Sequence, residues 1–150
     1  SEIAISAARV VRLFGFDPKV AFVSHSTFGQ PITSRTKHIK KAVDILKDKN
    51  VDFEFDGDMQ PDVALNKDYK NLYPFSNIVG SANILIMPGQ HSAAISYKMM
   101  KELGDTKVIG PLLIGLGLPI EIAPLRTSTS ELINLASIAA YSADVIDYKK

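Results

Sequence analysis

Six consecutive residues, Ser24-His25-Ser26-Thr27-Phe28-Gly29, gather three hydroxyls, an imidazole and a glycine into one short stretch. Hydroxyls and backbone N–H groups at a strand-to-helix turn can hold a phosphate, although a hydroxyl-rich turn that caps the next helix is the simpler reading. Glu54, Asp56 and Asp58 alternate along the chain, with Asp62 close behind. On a strand that spacing projects carboxylates to one side, where they could coordinate a hard cation; a solvated loop also tolerates them without one, and a structural role is the simpler reading. His25, His38 and His91 form no i,i+4 pair, so no histidine metal site is expected. His38 falls on the polar side of a helical pattern, whereas His25 and His91 stand at loop ends, where a ligand could reach them. No Gly-Lys-Ser/Thr phosphate loop is present, and Gly115-Leu116-Gly117 lacks the third glycine of a dinucleotide fingerprint. No nicotinamide site is therefore expected within the chain.

Length and charge narrow the classes further. The 150 residues suffice for one sizeable core. A formal net charge of +1 provides no global field for nucleic acid or an anionic membrane. With no cysteine, disulfides, thiolate metal sites and cysteine nucleophiles are excluded together, in keeping with a reducing, cytoplasmic setting. No apolar run approaches the ~18–20 residues of a membrane span, and the N-terminus lacks a signal-peptide pattern.

The elements that must position these residues alternate. Ile3, Ala7, Val10, Val11 and Phe14 share a helical face that Gly15 ends. Val20 to Ser24 is a short apolar run suited to a strand buried on both faces. Ile39, Ala42, Val43 and Leu46 mark an amphipathic crossover helix. Val51 to Phe55 predicts a second strand that exits into Asp56-Gly57-Asp58, followed by a short helix at Asp62 to Leu65. Ala82 to Met87 predicts a third strand, and Ala93, Ala94, Tyr97, Met100 and Leu103 a further helix. Two more strands are expected at Val108 to Leu116 and Pro119 to Ile122. Ser128-Thr129-Ser130-Glu131 has capping-box spacing before a last helix to about Asp144. Such alternation predicts an α/β fold: a mostly parallel sheet with helices on both faces, and ligands beyond the carboxyl ends of its strands.

Four motifs in order resemble the phosphate acetyl/butyryl transferase family. They are Ser24-His25-Ser26-Thr27-Phe28-Gly29, then Asp56-Gly57-Asp58-Met59-Gln60 with Asp62-Val63-Ala64-Leu65, then Ala82-Asn83-Ile84-Leu85-Ile86-Met87-Pro88, and the run Ile109 through Pro119. The resemblance implies a phosphotransacetylase-like α/β/α fold, related to that of isocitrate and isopropylmalate dehydrogenases. Members are about twice as long, so the chain corresponds to their C-terminal half and is expected to be a fragment.

Active members carry a Ser-Arg pair and then an aspartate after the last strand, assigned to catalysis and to CoA and phosphate binding. Aligned through Ile109-Gly110-Pro111, those positions fall on Pro124-Leu125 and on Glu131, with Arg126 one residue late. Proline and leucine cannot stabilise developing charge. A family asparagine is matched by Ala94 in Ala93-Ala94-Ile95-Ser96-Tyr97. These departures are similar to the phosphotransacetylase-like domains fused to the C-terminus of large bacterial malic enzymes, although the Ala-Ala-x-Ile-Ser-Tyr pattern of those domains is offset here by one residue. That resemblance implies a regulatory and oligomerisation domain without catalytic residues of its own, sensing acetyl-CoA or a related acyl-CoA as effector, and pairing as a homodimer or higher homo-oligomer. NAD(P), a divalent metal and oxidative decarboxylation of malate would belong to N-terminal domains. The expected acetyl-CoA or phosphate pocket comprises Ser26, Thr27, Gly29, His91, Arg126, Thr127 and Glu131, with no metal ligand among them. Two other readings stand beside it: a working phosphate acetyltransferase in which Arg126 and Glu131 have taken over, and a purely structural dimerisation module.

Overall fold

The computed structural model describes residues 1–105 and 107–145, with Lys70 and Asn71 described by backbone alone. Helix α1 (Glu2–Leu13) leads to strand β1 (Lys19–Val23), helix α2 (Ser34–Asp48), strand β2 (Glu54–Met59) and the short helix α3 (Pro61–Leu65). A 3-10 turn at Lys67–Asn71 precedes strand β3 (Ile84–Ile86), helix α4 (Gln90–Leu103) and helix α5 (Thr129–Val145). The chain divides into two compact units, Ser1–Tyr97 and Lys98–Lys150.

The first unit is a parallel sheet in the order β2-β1-β3. Because strand side chains alternate, β1 feeds two cores. Val20 and Phe22 pack with Ala4 and Ala8 of α1, Val43 and Leu46 of α2, and Ile84. Ala21, on the opposite face, packs with Met59, Ala64 of α3, Ile78 and Ala82. The expected α/β layering with both faces covered is therefore present, and the near-continuous apolar run of β1 is its cause.

Local signals hold where caps are strong. Helix α1 ends in paired bonds, Gly15 N–H to Arg12 O at 2.9 Å and Phe16 N–H to Val11 O at 3.2 Å, with Gly15 at φ +79°. A Cβ on Gly15 would meet nothing within 4 Å, so Gly15→Ala pays only the left-handed backbone cost. Urea unfolding is expected to show a loss of about 1 kcal/mol. Helix α2 starts in a reciprocal box between Thr33 and Thr36, at 3.2 and 2.8 Å.

Two sequence expectations are corrected. Strand β2 starts at Glu54 rather than Val51 and runs through the acidic residues instead of ending before them, because their side chains are bonded inward, as described below. Val108 to Leu116 and Pro119 to Ile122 form no strand among the described residues. Pro111 and Pro119 offer no amide donor, Gly110 and Gly115 take φ of +126° and +86°, and the Leu113 N–H is bonded to the Glu121 side chain at 3.1 Å rather than to a neighbouring strand. Apolar composition marked these stretches as extended but could not supply a ladder partner.

Candidate functional site

The loop after β1 is shaped by the end of β2. The register between them runs Phe22 to Gly57 and then Val23 to Met59, so Asp58 is an extra residue in a bulge. A bulge re-aims the side chain it carries. Asp58, buried at 3 % exposure, turns into the loop: it accepts the Ser26 hydroxyl proton and, at 2.9 Å, the Gly29 N–H. Its carbonyl takes the Phe28 N–H at 2.6 Å, and Ser24 N–H donates to Met59 O at 2.9 Å. Gln60 completes the lock, donating its amide to His25 O at 2.9 Å and its N–H to Thr27 Oγ1 at 3.3 Å. The first two sequence motifs are thus one structural object, with the second holding the first.

In this arrangement Ser26 has no exposed surface, and its hydroxyl is committed to Asp58 and lies 3.1 Å from Ser24 Oγ. Thr27 and Gly29 are half-buried, while His25 is exposed, with its ring 3.4 Å from Ser24 Oγ. His91 stands exposed in the first turn of α4, and His38 is exposed on α2.

Glu54 and Asp56 share a face, as their spacing predicts, but each carboxylate is already engaged by the protein. Glu54 accepts the Val79 N–H at 2.6 Å and sits 3.6 Å from Lys19 Nζ. Asp56 accepts the N–H groups of Gly57 and Asn77 at 2.9 and 2.7 Å. Among the described residues no group of three or more histidines and carboxylates is arranged to hold a metal ion. Sequence reasoning missed Asn83, whose side chain accepts the Lys19 N–H and donates to Asp17 O, both at 2.8 Å, and so sets where β1 begins. Its place in the third motif was the available signal.

Arg126, Thr127 and Glu131 belong to the second unit. Pro124 and Leu125 form a turn closed by Thr127 N–H to Pro124 O at 3.0 Å, with Leu125 and Arg126 exposed. Glu131 closes the capping box of α5: Oε2 accepts from Ser128 N–H and Oγ at 2.7 and 2.8 Å, and Oε1 pairs with Lys101 at 3.1 Å. Donation from the Ser128 backbone, then from its hydroxyl, then from Lys101 pulls the Glu131 carboxyl down to about 2 from 4.5. A depressed folded value stabilises the cap above the unfolded value and loses that contribution as the pH falls through the folded one. The start of α5 is therefore expected to loosen between pH 4.5 and about 2. In Glu131→Gln that acid step should vanish, as read by amide chemical shifts of residues 128–132 across an acid titration.

The phosphate acetyl/butaryl transferase family model matches residues 1–140. An NADP-dependent malic enzyme of Rhizobium meliloti is 48 % identical over 95 % of this chain, which corresponds to 19 % of that protein. A phosphate acetyltransferase of Bacillus subtilis is 33 % identical over 95 % of the chain and 45 % of its own length. A phosphotransacetylase from Streptococcus pyogenes superposes with a TM-score of 0.89 at 33 % identity, over 95 % of this chain and 44 % of that one. The chain thus spans about a fifth of the malic enzymes and under half of the acetyltransferases that it matches. With the sheet, the locked loop and these likenesses together, the chain belongs to the phosphate acetyl/butyryl transferase family.

Proposed function

We propose that this chain is the phosphotransacetylase-like C-terminal domain of a malic enzyme, serving as an acetyl-CoA-sensing and assembly domain without acyl transfer of its own. The observation that carries this reading is the loop after residue 122. Where active relatives are expected to place a serine and an arginine, Pro124 and Leu125 form an exposed turn. Glu131, at the aspartate position, is spent on a helix cap and on Lys101. A proline, a leucine and a carboxylate so committed cannot stabilise the charge that develops as an acyl group passes between CoA and phosphate. The likeness to NADP-dependent malic enzymes supports the parentage.

In this reading NAD(P) and a divalent metal act in other domains of the parent protein. The chain offers neither a dinucleotide fingerprint nor, among the described residues, a carboxylate cluster for a metal. A homodimer or higher closed oligomer through this domain and a cytoplasmic location complete the proposal. No described helix is long and apolar enough to cross a membrane.

A working acetyltransferase is the second reading, favoured by the exposed guanidinium of Arg126 beside the same turn and by the likeness to phosphate acetyltransferases. Assay of the full-length protein with acetyl phosphate and CoA, beside calorimetric titration with acetyl-CoA, separates the two. Binding that inhibits malate turnover, without acetyl transfer, is expected. Transfer above ~1 s⁻¹, within the usual enzyme range, would establish the second reading instead.

A further inference from the structure

The outer flank of the locked loop, together with α2 and β2, encloses a cavity of about 560 Å³, within the range of small-ligand sites. Three chemistries line it in order of depth. Asp56 and Asp58 are buried, at 7 % and 3 % exposure. Each accepts two protein donors, fewer than the roughly four lone-pair sites of a carboxylate. This closed end favours hydroxyl or amine donors and repels an anion. Phe28 and Phe75 stand edge to face, centroids 4.7 Å apart at 69°, and Phe75 is 63 % exposed, so a ring surface is open to contact. At the rim, Lys37 and Lys40 rise from one side of α2 with no carboxylate partner within 4.0 Å among the described residues, while Asp44, which also lines the cavity, is paired with Lys47 at 3.9 Å.

Donors inward, a ring between and an anion outward describe a phosphorylated nucleoside. Resting on the acyl-CoA-sensing reading, we propose that this cavity takes the phosphoadenosine end of the effector: ribose or base donors on Asp56 and Asp58, the base against Phe28 and Phe75, and phosphate on Lys37 and Lys40. An acidic peptide would fit the rim but not the closed end, where its carboxylates would face two others.

Adenosine 3′,5′-bisphosphate, which lacks the pantetheine and the thioester, is the direct probe. With the full-length protein it is expected to bind in calorimetry and to compete with acetyl-CoA. The double substitution Lys37→Gln, Lys40→Gln should weaken both ligands by about tenfold or more, the worth of losing charge-assisted phosphate contacts. Both lysines are exposed, so an unchanged melting temperature would show that the variant is folded. If acetyl-CoA binds wild type and variant equally, the cavity assignment is overturned while the sensing reading stands. If the bisphosphate binds in a lysine-dependent way but acetyl-CoA neither binds nor inhibits, the nucleotide site stands and the sensing reading falls. If neither ligand binds the wild type, both are wrong.

Discussion

Gly57→Ala is expected to be the most damaging single methyl group that can be added to the sheet. Gly57 lies at φ +148°, and a Cβ there would stand 2.7 Å from both Cβ and the carbonyl oxygen of Phe22. Neither obstacle is a flexible tip, since one is backbone and the other is the first carbon of a core side chain in the central strand. Backbone strain and overpacking each cost about 1–3 kcal/mol, and together roughly 4 kcal/mol is expected, a large part of a domain's stability. Thermal unfolding should show a fall well beyond that of Gly15→Ala, where the backbone is also left-handed but the space is open. Equal losses in the two variants would mean that β1 can move away from β2 at little cost.

Asp58→Ala should come next, at roughly 3 kcal/mol, because it leaves the Ser26 hydroxyl and the Gly29 N–H without their acceptor in a buried place. Asp58→Asn should cost far less. Its amide oxygen can still receive the Gly29 N–H, and its NH₂ can donate to Ser26 Oγ, whose proton then turns towards Ser24 Oγ. Hydrogen exchange followed by mass spectrometry is the appropriate readout. In Asp58→Ala, peptides covering residues 25–29 should lose protection before the core of β1 does. Uniform loss across the unit would show that the loop is not a separate element.

These two residues also mark where sequence reading reached its limit. Alternation of Glu54, Asp56 and Asp58 correctly put the first two on one face, but period-two logic assumes an unbroken register. The bulge breaks it at Asp58, and a bulge is set by pairing with Phe22 and Val23 rather than by local composition. The β1 run, the Ser128–Glu131 capping box and the Gly15 stop were legible because each is settled within a few residues of chain, whereas the Thr33–Thr36 box at the start of α2 emerged only with the fold. Val108 to Ile122 was not, since extended apolar stretches become strands only when a partner edge exists. In the candidate site the motifs singled out the loop after β1, yet only the fold shows that the Ser26 hydroxyl faces inward to Asp58, with no exposed surface. Glu131 was readable from Ser128 alone, since a capping box is complete within four residues.

The fastening of residues 77–79 by Glu54 and Asp56 bears on which changes lineages can accept. Here a pair of side chains substitutes for a strand, and what they grip is the main-chain N–H of Asn77 and Val79. The identity of the gripped residue is immaterial to the grip, and both side chains are exposed. Positions 77 and 79 can therefore drift through almost any residue except proline, which has no N–H to give. The burden of heredity at this join falls on two acidic residues some twenty positions upstream and on the buried Ile78 between the gripped residues, so a reader of related sequences would find these constant and positions 77 and 79 free.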